Sequence, residues 1–201
     1  YSGNLADNFV VDPDSNSSVY AKDMSGTASE LISRASGAAG VNANSRAHDP
    51  SISDDGNVVA FTTDSTNLGP PPDYYGVYTR NRTNFDTSLV SKKTVYAVQG
   101  VISGDGNTVS WFEELSDSEG ALPAANVFYD GSRNRMSSDS RYIVFTVNIK
   151  QFFPGLADNS YQVVRRDLMT GKIEVVSRKT GDGSFSNYSD GASISSDGNI
   201  V

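Results

Sequence analysis

SISDDGNVVAF, residues 51–61, decides the fold. Two short alternating apolar runs flank Asp55-Gly56, and glycine supplies the positive φ that a tight hairpin turn requires. The same wording returns as VISGDGNTVSW at 101–111 and as SISSDGNIV at 193–201. A degraded copy, MSSDSRYIVF at 136–145, has Ser140 at the glycine position. Self-similarity at this period indicates a repeat architecture.

Two further lines follow each hairpin. A Val-aromatic strand is expected at VYAKDM (19–24), VYTRNR (77–82), VFYDGS (127–132) and VVRRDL (163–168). A short apolar strand ending in Ser and a base then appears as ELISR (30–34), SLVSK (88–92) and VVSRK (175–179). Each unit therefore holds four short strands with turns between them, the content of a propeller blade. Eighteen Gly and seven Pro punctuate the chain, and no stretch has a long apolar stripe at helical spacing, so the fold class is all-β. Residues 25–39 read as a turn and strand, with a helical turn as the alternative.

The frame Pro50-Ser51-Ile52-Ser53-x-Asp55-Gly56, the Asn67-Leu68 and Asn4-Leu5 pairs, the Arg165-Arg166-Asp167-Leu168-Met169-Thr170-Gly171 line and the closing Leu-Val-Ser resemble the TolB-like, WD-like β-propeller repeats. The resemblance covers nearly the whole chain. It implies a β-propeller of about four short four-stranded blades over residues 1–201, as one domain or as a segment of a larger propeller. Such propellers serve as binding platforms, structural modules and non-catalytic domains of enzymes, so fold alone does not choose among these roles. One departure stands out: between Asp130 and Met136 the fourth strand of one unit and the first of the next are missing.

Composition excludes several classes. A net charge of −8, with sixteen basic residues scattered, argues against nucleic-acid binding. Arg165 and Arg166 are adjacent on an expected strand and point to opposite faces, so they cannot form one patch. With no cysteine, disulfides, thiolate metal sites and cysteine nucleophiles are excluded. No run approaches the roughly 20 apolar residues that span a bilayer. The chain starts at Tyr1 without a signal sequence, as expected of a processed or excised mature segment. Richness in Asn, Ser, Thr, Gly and Asp, with the usual location of the resembling family, points to an extracellular, cell-surface or periplasmic protein.

The single histidine, His48, lies beside Asp49 just before an expected inner strand. Neighbouring strand side chains diverge and no G-x-S-x-G elbow is present, so a polar cap is expected rather than a catalytic pair. Of the carboxylate pairs, Asp54-Asp55 is explained by the turn, with equivalents at Asp105, Asp139 and Asp197. Glu113, Glu114, Asp117 and Glu119 are placed in a solvated loop leaving a strand. Such pairs could serve glycoside hydrolysis only at the right separation across a cleft.

The candidate ion is Ca²⁺: Asp12, Asp14 and Asn16 have the D-x-D-x-N spacing of a calcium loop, with Asp23 as a closing carboxylate. Ser17 at the usual glycine position and the strand expected over 19–23 stand against it. Sequons at Asn16, Asn81 and Asn187 fall in expected loops, where glycans are compatible with a secreted protein. Tyr20, Tyr78, Phe128, Phe61, Trp111 and Phe145 hold equivalent repeat positions and are expected between blades. Tyr74, Tyr75, Phe152 and Phe153 sit beside proline in long loops, and exposed rigid rings suit a protein or carbohydrate contact.

The expected function is a non-catalytic module for protein contact, scaffolding or assembly, the alternative being the propeller domain of a hydrolase or lyase. The chain ends add a further expectation. From the hairpin glycine position to the next Val-aromatic strand the spacing is 21 (Gly56 to Val77), 21 (Gly106 to Val127) and 23 (Ser140 to Val163), and joining the ends gives 22 (Gly198 to Val19). One blade is thus expected to be split, with 193–201 as its first half and 19–34 as its second. The unpaired edges are satisfied by closure within one molecule or by head-to-tail strand complementation between copies, which builds a filament.

Overall fold

A computed structural model describes residues 2–3, 17–114, 135–149, 161–179, 181–185 and 188–201. Its thirteen strands form four antiparallel sheets. The first sheet holds β1 (Ser2–Gly3), β2 (Ser18–Lys22) and β3 (Ser29–Leu31). The second, in order, is β4 (Ala47–Ile52), β5 (Val58–Thr63), β6 (Gly76–Asn81) and β7 (Thr87–Leu89). The third pairs β8 (Tyr96–Ile102) with β9 (Val109–Glu114). The fourth runs β10 (Arg135–Met136), β11 (Tyr142–Asn148), β12 (Tyr161–Asp167) and β13 (Ile173–Val175). β10 shows that the first strand of the fourth unit is present.

Each sequence line now has a physical reason. In every hairpin the leading serine hydroxyl donates to the aspartate, Ser53 to Asp55, Ser103 to Asp105, Ser137 to Asp139 and Ser195 to Asp197. The same hydroxyl accepts the N–H of Val58, Thr108, Tyr142 or Ile200, so one serine fixes both sides of the turn. Gly56, Gly106 and Gly198 have φ between 72° and 74°, and Ser140 takes 63° without being glycine. The degraded repeat therefore keeps the turn and carries its backbone strain.

The serine closing each unit is a staple. Ser33, Ser91 and Ser177 accept the N–H of Val19, Val77 and Val163, each fourteen residues earlier, where the last strand ends beside the start of the third. The base that follows pins the next loop: Arg34 donates to the carbonyl of Gly40 and Arg178 to that of Gly183.

The Val-aromatic pair follows from strand alternation, which sends successive side chains to opposite faces. Tyr78 is buried with Phe61, Val59, Val19 and Ile32 between the first and second sheets. Val77, its neighbour, is buried with Ala97 and Trp111 between the second and third. Phe61 and Tyr78 stack at 5.9 Å. Phe145 is buried in the fourth sheet's cluster, Tyr20 is only half-buried, and Phe128 lies outside the described residues.

Arg80 locks the first sheet to the second. Fully buried, it donates to the carbonyls of Ala35, Gly37 and Phe85 and to the Thr87 hydroxyl, all neutral acceptors. Burial, then the nearby Arg34 charge, holds its pKa below the ordinary arginine value. Arg82 adds an ion pair to Glu30 of the first sheet at 2.7 Å and donates to the carbonyl of Gly56.

Two glycine substitutions separate backbone strain from packing. Gly56→Ala meets only the Arg82 guanidinium at 3.6 Å, so its positive φ alone should cost about 1 kcal/mol. Gly100→Ala drives a Cβ into Cγ1 of buried Val77 and should cost roughly 2 kcal/mol through overpacking. Urea unfolding of both variants checks the order, and a neutral Gly56→Ala would remove the turn assignment.

Candidate functional site

The hairpins 53–58, 103–108, 137–142 and 195–200 lie at one end of the sheets, and the starts of the inner strands lie at the other. On the hairpin face successive turns are joined by backbone bonds: Asp54 N–H to Gly104, Asp105 N–H to Ser138, and Ser138 N–H to Ser196. Side chains reinforce the string, the Ser138 hydroxyl reaching Asp54 at 2.7 Å and the Ser140 hydroxyl reaching Asp105 at 2.8 Å. Residues 193–201 thus dock beside the fourth sheet as the inner hairpin of a further unit. Arg165 adds a hydrogen bond to the carbonyl of Gly198.

The opposite face is aromatic. The inner strands bend there: pairing slips between His48 and Ser51 in β4 and between Val98 and Val101 in β8. Asp49, Gln99 and Gly191 have φ of 50°, 57° and 70°, each seven residues before its hairpin glycine. This shared bulge corrects two expectations. His48 lies within β4 rather than before it, and its side chain does not diverge from Asp49: Nδ1 and Oδ2 are 2.9 Å apart because the positive φ folds Asp49 back.

Just outside the bulges, the N–H groups of Ala47, Ala97 and Ser189 donate to the carbonyls of Ser17, Tyr75 and Tyr161 in the preceding sheets. Two of these junctions carry equivalent tyrosine pairs, Tyr75 with Tyr96 at 5.7 Å and Tyr161 with Tyr188 at 5.9 Å, both edge-to-face. His48 adds a third ring against Tyr75 at 5.5 Å. Tyr74 is 60% exposed and Tyr188 64%. Of these, only Tyr74 and Tyr75 were expected as contact residues. The missed signal is positional: Tyr75 and Tyr161 stand two residues before the Val-aromatic line, and Tyr96 and Tyr188 ten residues before a hairpin glycine.

The loop bearing Tyr74 is anchored at both ends. Asn44 and Thr66 exchange hydrogen bonds, Asn67 donates to the carbonyl of Asn42, and Leu68 enters the core, which accounts for the Asn-Leu pair. At the far end Asp73 N–H donates to the carbonyl of Lys93.

Glu113 and Glu114 are not in a loop: both belong to β9, opposite Ala97 and Tyr96, and Glu113 is only 4% exposed. The consecutive charges hide a strand because they break its alternation. Asn81 ends β6 rather than lying in a loop, and its Oδ1 accepts the N–H groups of Thr83 and Asn84. Asp12, Asp14, Asn16, Phe152, Phe153 and Asn187 lie outside the described residues. Among the described residues no group of three or more His, Cys, Asp or Glu side chains is placed to hold a metal ion. No described helix is long and apolar enough to cross a membrane.

Sheets stacked junction by junction, with inner hairpins at one end, define a β-propeller repeat. The fold is TolB-like. A TolB described as putative from Agrobacterium tumefaciens superposes at a TM-score of 0.51 with 13% identity, over 98% of this chain and 66% of that one. TolB from Acinetobacter baumannii gives 0.45 and 16%, over 80% and 38%, and oligogalacturonate lyase from Vibrio parahaemolyticus 0.40 and 16%, over 62% and 37%. The chain thus spans 38% and 66% of the two TolB proteins. No family model and no curated protein matches it.

The turn carboxylates set an acid limit. Hydrogen bonds from Ser103, Asn107 and Ser140 hold Asp105 at about 2, and those from Ser195 and Asn199 hold Asp197 at about 2, against an ordinary 3.8. A depressed carboxylate stabilises the fold fully above its unfolded value and ceases to as pH falls through the folded one. Stability should therefore drop between pH 3.8 and about 2. Asp105→Asn should flatten that drop in acid titrations followed by circular dichroism, and an unchanged profile would remove Asp105 as a cause.

Proposed function

We propose that the chain is a non-catalytic protein-interaction propeller working outside the cytoplasm, with the tyrosine face as its contact surface. The observation that carries this reading is the repetition of the tyrosine pair at equivalent positions of two junctions, beside exposed Tyr74 and Tyr188. Rigid amphipathic rings bury large area at small entropic cost, and the TolB-like fold supplies the platform. Carbohydrate is the other chemistry that such rings serve. The calcium loop at Asp12, Asp14 and Asn16, the sequons, and Phe152 with Phe153 remain part of the proposal on their residue types alone.

A photo-crosslinker placed at position 74 should capture one defined protein in the native cell envelope, and one placed at Met169, exposed in the turn after β12, should not. Equal capture at both positions overturns the choice of face. Turnover of oligogalacturonate by the purified chain would overturn the non-catalytic reading and favour the lyase alternative.

Self-assembly is a second reading, favoured by one observation. β1 pairs with β2 in the second-strand position, Ser2 opposite Val19 and Gly3 opposite Ser18, and forms the edge of its sheet among the described residues, which leaves that edge open to pairing. Sedimentation of the 201-residue chain across concentrations should give a stable monomer if the blade closes within one molecule. A concentration-dependent polymer would assign head-to-tail complementation instead.

A further inference from the structure

We propose that the tyrosine-face end of the junction between the second and third sheets binds an alkylammonium group. Glu113 is a residue that the fold does not call for. Along β9, Val109, Trp111 and Glu113 share one face, and Trp111 packs with Val77 of the second sheet, so Glu113 faces the second sheet too. The equivalent positions hold Thr63, whose hydroxyl meets Ser65 at 2.8 Å, and Val147; both are fully buried. Glu113 is buried like them, yet makes no hydrogen bond or ion pair with any described residue.

Two more polar groups at this junction lack partners. Trp111 Nε1 and Asp64 Oδ1 are both buried without a hydrogen bond. Asp64 follows β5 directly, and because Thr63 pairs with Gly76, the next positions outward are Asp64 and Tyr75. The Tyr75 carbonyl accepts from Ala97 N–H at 3.0 Å, and Ala97 stands opposite Glu113. The register thus gathers Asp64, Tyr75, Ala97 and Glu113 at one level of one junction, where the rings of Tyr75, Tyr96 and His48 meet.

The buried, unpaired Oδ1 of Asp64 and the unpartnered carboxylate of Glu113, which keeps a narrow opening to solvent, suit a cation at this aromatic level, since a carboxylate held away from water is costly and ring faces attract positive charge. A hard divalent ion would need six or more oxygens, and no metal-holding group of three acidic or histidine side chains exists among the described residues. An ammonium group needs fewer acceptors, and the apolar residues Val90 and Val95 packed on this cluster suit its alkyl stem. Two sources share this chemistry: a free polyamine, or a lysine side chain of the protein partner. The site rests on the reading of this face as the contact face.

Trp111 is the only tryptophan, so its fluorescence reports the site directly. Titration of the 201-residue chain with cadaverine should give a saturable change, which 1,5-pentanediol and sodium chloride at matched ionic strength should not reproduce. Glu113→Gln should weaken cadaverine about tenfold. Tyr75→Leu should do the same, and serves if the first variant fails to fold. A trace identical to that with sodium chloride, or unchanged affinity in the folded variants, overturns the proposal. A blocked lysine peptide binding more tightly than cadaverine assigns a protein lysine, and the reverse assigns a polyamine. Failure of the titration leaves the crosslinking result at position 74 standing, so chemistry and face are tested separately.

Discussion

The hydrogen bond from the leading serine hydroxyl to the turn aspartate is the constraint on which the rest of the structure depends. Ser53, Ser103, Ser137 and Ser195 each make it within 2.5–2.6 Å, while the same oxygen accepts the amide five residues on. Both strand exits are thereby fixed by contacts within five residues, without any help from the core. A charge-assisted bond of this length is among the stronger ones available to a side chain, and here it is entirely local. With the turns set, the strand register follows, and with the register the assignment of alternate side chains to one junction or the next.

At the junction between the second and third sheets apolar packing then lies between two backbone clamps. The clamps are Ala97 N–H to Tyr75 at one end and Asp54 N–H to Gly104 at the other, around Val77, Ala97 and Trp111. The first junction adds buried Arg80, whose acceptors are all neutral. Its two Nη groups are bonded while its Nε is buried without a partner, so this cation specifies geometry more than it adds stability, because desolvation offsets much of its hydrogen-bond energy. The loop after β3 has its path set by that cation rather than by a core of its own.

Much of this was legible in the residues, and the gaps have identifiable causes. The hairpins, the Val-aromatic strands and the Ser-base closures are written in side chains whose chemistry acts locally, so a linear reading finds them. The bulge escaped because Asp49 and Gln99 adopt positive φ without being glycine, and only Gly191 advertises it. β1 escaped because Ser2–Gly3 has too little pattern to be a strand on its own; its partner β2 makes it one. Arg80 looked like an ordinary strand base, and its burial comes from a loop over forty residues away in sequence. The tyrosine pairs needed two lines of the repeat to be superposed, since each pair joins residues of different units.

The string of turns also has a direction. In every link the amide of the earlier turn donates and the carbonyl of the later one accepts, and the peptide unit of Gly104 and Asp105 does both at once. Dipoles so aligned polarise one another, which makes the rim a relay rather than a set of separate contacts. Along the sequence every donor precedes its acceptor, so each link in the rim is completed by the later of the two repeats it joins.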